Sequence, residues 1–162
     1  MTVPGHPHGA AGGPDHRRRL TVVLLVTSVV VLIQIAGAVV SGSLALAADA
    51  GHMFTDVAAI GIALSAMTIA ERSTTARSTF GLYRLEIFAA AVNAVILLAV
   101  AGWVVWSAVR RLEDPPEVES GLMILVALIG LLANAFSLWW LREGQASNLN
   151  VRGAYLEVLG DL

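Results

Sequence analysis

Four long apolar runs, separated by short polar segments, set the plan of this chain. Leu20–Val40, Leu44–Ala70, Ile87–Val109 and Leu122–Leu141 each reach the ~20 residues that a helix needs to cross a hydrocarbon core of about 30 Å at 1.5 Å per residue. Ser41-Gly42-Ser43 leaves room only for a tight turn, so the first two runs form a hairpin. Glu71–Glu86 reads as a polar connection carrying Arg72, Arg77 and Arg84. Arg110–Gly121 is an acidic connection in which Pro115-Pro116 breaks any helix. After the polar loop Arg142–Asn150 a helical pattern resumes, and Asn150–Leu162 covers about half the length of a span. Met1–Arg19 holds Pro4, Pro7 and Pro14 and has no periodicity, which predicts a disordered tail. The pattern therefore predicts an all-α fold, a polytopic transmembrane helix bundle with four complete spans and the start of a fifth. It divides into a tail, 1–19, and a membrane domain, 20–162. The abrupt ending leads us to expect a fragment of a longer protein.

The apolar pattern breaks inside the second run. Asp49, His52 and Asp56 stand at i, i+3 and i+7, which puts them on one face of a helix. A charged side chain at the centre of a bilayer costs about 2.5–3.5 kcal/mol on insertion scales. This stripe therefore calls for a metal ion, for protons or for a polar partner helix. A stripe that only glues helices together is the alternative, although Ser, Thr or Asn would serve more cheaply. Glu157 and Asp161 repeat the i, i+4 spacing of His52 and Asp56, and two such pairs on facing helices can form a four-ligand cage. Counted from the helix ends, His52 and Asp56 lie roughly 12 and 18 Å from one face of the bilayer and Glu157 and Asp161 roughly 10 and 16 Å from the other, so the pairs overlap in height. The competing reading leaves Glu157 on a surface helix in contact with water.

Composition narrows the chemistry. Hydrophobic residues make up 57% of the chain, and there is no Cys, so any metal is held by His nitrogen and carboxylate oxygen. A net charge of −2 gives no reason to expect nucleic acid as a partner. His6, His8 and His16 lie in the tail, where they either capture metal loosely or have no role. The first run is too long for a signal-peptide core and has no small-residue cleavage site after it, which predicts a retained span. Every basic residue is Arg, and eight of the ten fall in the tail, in Glu71–Glu86 and in Arg142–Arg152. That bias predicts a cytoplasmic N-terminus in the inner (plasma) membrane. Trp103 and Trp106 then approach the outer interface, and Trp139 and Trp140 the inner one.

Three stretches in order carry a likeness. They are Ser43-Leu44-Ala45-Leu46-Ala47-Ala48-Asp49-Ala50-Gly51-His52-Met53-Phe54-Thr55-Asp56, then Phe80-Gly81-Leu82-Tyr83-Arg84-Leu85-Glu86, then Asn148-Leu149-Asn150-Val151-Arg152-Gly153-Ala154-Tyr155-Leu156-Glu157-Val158-Leu159-Gly160-Asp161. Together they resemble the zinc-transporting branch of the cation diffusion facilitator family, from about Arg17 to Leu162. The resemblance implies a six-helix cation-efflux domain, a homodimer in the full-length form, and export of divalent metal in exchange for protons. It implies His52, Asp56, Glu157 and Asp161 as the transport ligands. Where the family's zinc pattern has His, this chain has Glu157. One nitrogen with three carboxylates is a harder set, which leaves Zn2+ as the expected substrate and admits Mn2+, Fe2+, Co2+ or Cd2+. Asp49 recurs in the family outside the four ligands, as an acceptor for His52, as a proton relay or as a plain helix-packing bond.

Two functional classes follow. The first is a secondary active transporter of metal cations, in which protons and metal compete for the same ligands. The second is a membrane-embedded zinc-dependent hydrolase, which has no His-Glu-x-x-His pattern and only one membrane His to draw on. No organic cofactor and no catalytic residue are expected for the transporter. The topology is directly testable, because the chain is free of Cys. A Cys introduced at Glu117 reacts with an impermeant thiol reagent in intact cells and one at Ser73 does not; the reverse pattern overturns the orientation.

Overall fold

The computed structural model describes residues 14–72 and 76–162, side chains at 66, 69–72, 76–87, 89 and 90 excepted. Residues 1–13, with His6 and His8, and residues 73–75, with Ser73, lie outside the described residues. Five helices follow one another: α1 (Pro14–Ser41), α2 (Leu44–Arg72), α3 (Ala76–Glu113), α4 (Ser120–Leu141) and α5 (Leu149–Gly160). There is no strand among the described residues, so the all-helical expectation holds. Pro14–Ser41, Ala91–Glu113 and Ser120–Leu141 are long and apolar enough to cross a membrane. At 29 residues α2 has the length as well, with the polar stripe inside it.

Two boundaries differ from the sequence expectation. Helix α1 begins at Pro14, so 14–19 are helical rather than disordered. Proline suits the first turn of a helix, where its missing N–H would have no partner, and Asp15 follows it against the positive end of the helix dipole. The supposed loop Glu71–Glu86 is helical at Glu71–Arg72 and again from Ala76. Polarity alone does not end a helix. This stretch has no proline, and the single Gly81 costs only about 1 kcal/mol relative to Ala.

Helix α1 lies between α2 and α4; α3 packs on α2 and α5 on α4. Small residues allow the close approaches. A Cβ on Gly37 of α1 would stand 2.8 Å from Val126 of α4, and one on Gly51 of α2 would stand 2.8 Å from Val100 of α3. Such contacts suit helices in lipid, where packing and not the hydrophobic effect brings them together. Outward-facing Leu32 and Leu98 are 67% and 74% exposed, as a lipid-facing surface requires.

The end of the bundle where α1 finishes is closed by the hairpin turn. Gly42 has φ +68°, the left-handed conformation that glycine takes at a helix C-terminus. The Ser43 hydroxyl caps α2 by accepting from Leu46 N at 3.3 Å. Arg111 at the end of α3 donates to Gly42 O at 2.7 Å, and Glu119 N before α4 donates to Ser41 O at 3.1 Å.

The opposite end is tied by Arg19. Its guanidinium donates to Trp140 O and to the Glu143 carboxylate, both at 2.6 Å, and lies over the Trp140 ring. His16 Nε2 faces Ser147 Oγ at 3.5 Å, and Gly144 keeps the turn close to both His16 and Arg19. Asn148 then caps α5, its side chain accepting from Asn150 N and Val151 N. The buried residues Leu20, Val23, Leu141, Val151 and Val158 complete this end. Thus α1 positions the turn that launches α5.

The hydrogen bond and charge of Arg19 hold the Glu143 carboxyl below its ordinary range. A depressed folded-state pKa adds stability that is present above the unfolded value of about 4.3 and is lost as pH falls through the folded value. Glu143→Gln should therefore lower the thermal midpoint slightly at pH 7, with the gap from the unsubstituted protein closing below pH of about 4. Melting both forms in detergent from pH 3.5 to 7.5 checks this; a gap independent of pH contradicts it.

Candidate metal site

The polar stripe of α2 meets the end of α5. His52 Nε2 lies 3.0 Å from Asp161 Oδ1 and 4.0 Å from Asp56 Oδ2. One donor atom from each of the three residues falls within 4.8 Å of the other two. Donors around a tetrahedral ion with bonds of ~2.0–2.2 Å stand ~3.3–3.6 Å apart, so changes of about 1 Å in these separations bring the atoms to that spacing. The two sides of the site differ in access. Asp56 is 6% exposed, and its Oδ2 has no hydrogen-bond partner among the described residues. His52, by contrast, has a side chain 52% exposed. A buried carboxylate oxygen without a donor favours a cation or a proton beside it.

The local sequence explains the arrangement. His52 and Asp56 are one helical turn apart, so both reach the α2–α5 seam. Asp161 is the C-terminal cap residue of α5, where the helix ends and its side chain turns toward α2. Glu157 sits one turn earlier on the same side of α5 and is half-buried. It is near enough to Asp56, Asp161 and His52 to interact electrostatically with all three, but its carboxylate stands outside the three-residue cluster. The structure therefore brings together three of the four residues expected at the site and leaves the fourth at its edge.

Asp49 goes elsewhere. Its carboxylate accepts a hydrogen bond from the Gln34 side chain of α1. Of the roles open to Asp49 in the sequence, the structure displays the helix-packing bond and no hydrogen bond to His52. Gln34 is 1% exposed, and nothing in the sequence names its partner. His16 is likewise placed against Ser147 and Gly144, away from the His52 cluster.

A helical membrane bundle with a His–carboxylate cluster between its second and fifth helices is the setting in which the comparisons fall. Residues 20–162 match the cation efflux transmembrane domain, and the chain belongs to that family, the cation diffusion facilitators. It is 46% identical to the metal cation efflux system protein CzcD of Cupriavidus metallidurans, over 98% of this chain and 49% of that protein. It is also 46% identical to the zinc transporter ZitB of Escherichia coli, over 97% of this chain and 51% of the relative. A cadmium, cobalt and zinc/H(+)-K(+) antiporter of Bacillus velezensis is 37% identical, over 98% of this chain and 51% of its own length. The chain thus spans about half the length of the curated relatives it matches. These relatives are named as transporters, and the alternative of a membrane-embedded hydrolase finds no support among them.

Proposed function

We propose that this domain, in the complete protein, carries divalent metal ions out of the cytoplasm across the inner membrane in exchange for protons, with zinc as the principal substrate. The observation that carries the reading is the convergence of His52, Asp56 and Asp161 from α2 and α5 on one small volume inside an apolar bundle. The names of the relatives, which include zinc, cadmium, cobalt and H(+), agree with it. In this reading His52 supplies nitrogen, Asp56 and Asp161 supply oxygen, and Glu157 joins as the fourth ligand or receives a proton beside them.

Exchange follows from the chemistry of the donors. Imidazole and carboxylate bind either a metal ion or protons, so loading metal releases protons and protonation releases metal. If α2 and α5 shift to open the site to each side in turn, the two fluxes become coupled. Asp56, more deeply buried than His52, is the inner end of the proposed site. The orientation proposed from the Arg distribution, with the N-terminus in the cytoplasm, makes the direction outward.

Asp56→Ala or Asp161→Ala in the complete protein should abolish metal export while leaving membrane insertion intact. The test is uptake of 65Zn into inverted vesicles with an imposed proton gradient. Normal transport by either variant removes these residues from the site.

Glu157 tunes selectivity in this proposal. Replacing the carboxylate by imidazole, Glu157→His, exchanges a hard oxygen for a softer nitrogen. The zinc-over-manganese transport ratio should rise about tenfold, equivalent to about 1.4 kcal/mol. The two ions are compared in the same vesicles. An unchanged ratio means that position 157 stays outside the coordination sphere throughout the cycle.

A further inference from the structure

The geometry points to Gln34 as a positioning residue for the metal site: its hydrogen bond to Asp49 fixes the rotation and height of α2, and so presents His52 and Asp56 to α5. This rests on the transport reading above for its functional meaning, though the positional claim can be tested without metal.

Gln34 lies between two neighbouring helices. Its amide nitrogen donates to Asp49 of α2. The same nitrogen lies 3.0 Å from the place a Cβ would occupy on Gly130 of α4. Any larger residue at 130 would press on the amide, so the glycine makes room for it. The direction of the amide is also fixed. Turning it over would set its carbonyl oxygen against the Asp49 carboxylate, and that oxygen has no other partner among the described residues. The result is a directional bond from a fully buried side chain of the central helix to a residue one turn from His52.

Position matters here because the donor atoms tolerate little error. A binding constellation works within about 0.5 Å of its productive geometry. A side chain tip ~5 Å from the helix axis moves ~2 Å when the helix turns by ~20°. Among the described residues near the site, few other constraints on α2 are both polar and directional. The α2 residues beside α1 near the site, such as Met53 against Val30 and Val31, make apolar contacts that permit sliding and rotation. In lipid an apolar contact also gains little over lipid itself, so one polar bond has unusual weight in choosing the register.

The test uses the absence of Cys. In the complete protein, the pair His52→Cys and Asp161→Cys should form a bimane bridge in high yield on treatment with dibromobimane, which spans sulfurs too far apart for a direct disulfide. Adding Gln34→Met, which keeps the side-chain length and removes the donor, should lower that yield several-fold at unchanged helicity. With His52 and Asp161 in place, Gln34→Met and Asp49→Ala should each weaken equilibrium zinc binding about tenfold, and the double variant should be no weaker than either alone. Gln34→Asn combined with Asp49→Glu exchanges one methylene between the partners and should restore both readouts. Unchanged bridging in Gln34→Met, or losses of affinity that add in the double variant, overturns the positioning role. A protein that bridges normally but neither binds nor moves zinc would instead refute the transport reading, and the bridging yields would still decide the role of Gln34.

Discussion

A carboxylate inside a membrane needs a partner from somewhere, and among the described residues Asp56 Oδ2 accepts no hydrogen bond, with His52 of the same helix 4.0 Å away. Water is scarce there, lipid offers no donors, and an isolated buried charge is costly. The rest of the bundle can be read as the means of answering that need. Asp161 must reach the same volume, so α5 must start from the opposite end of the bundle at a set distance. A cation or protons then neutralise what the protein leaves acidic. The same constraint explains why the polar residues are few and buried in groups while the surface is apolar.

Helix α1 holds no residue of the cluster, but it touches everything that does. Gln34 reaches α2, Gly37 admits α4, and Arg19 grips the turn between α4 and α5. The two helices that meet at His52 and Asp161 are thus referenced to a common post. Their interactions with it differ in kind. The bond to α2 is buried and polar, whereas the tie to the α5 turn is half-exposed and ionic, and therefore easier to loosen. A transporter that rocks one element against another needs such an asymmetry between a firm and a yielding contact.

Much of the fold is legible in the sequence because lipid imposes a simple code. Apolar runs of sufficient length mark the helices, and Ser41-Gly42-Ser43 marks a tight hairpin. His52, Asp56 and Asp161 stand out because polar residues within apolar runs are rare and their spacing is one helical turn. What the code does not carry is contact between helices. Nothing local pairs Gln34 with Asp49 or Arg19 with Glu143, since each pairing depends on how two helices rotate against each other. The position of Glu157 shows the same limit: the i, i+4 spacing places it on the right side of α5 but does not set its distance from the cluster. Reading polarity as a loop also failed where no residue breaks the helix, at Glu71–Arg72 and from Ala76, and Pro14 begins a helix that its presence in a polar tail conceals.

The order of the cluster residues along the chain bears on biogenesis. His52 and Asp56 lie on α2, and Asp161 follows only after α3 and α4. Helix α5 is seated against the earlier helices through its Asn148 cap and through Val151, Ala154 and Val158. The nascent chain therefore presents His52 and Asp56 alone while its first four helices assemble, and the contact with Asp161 forms only once α5 has docked.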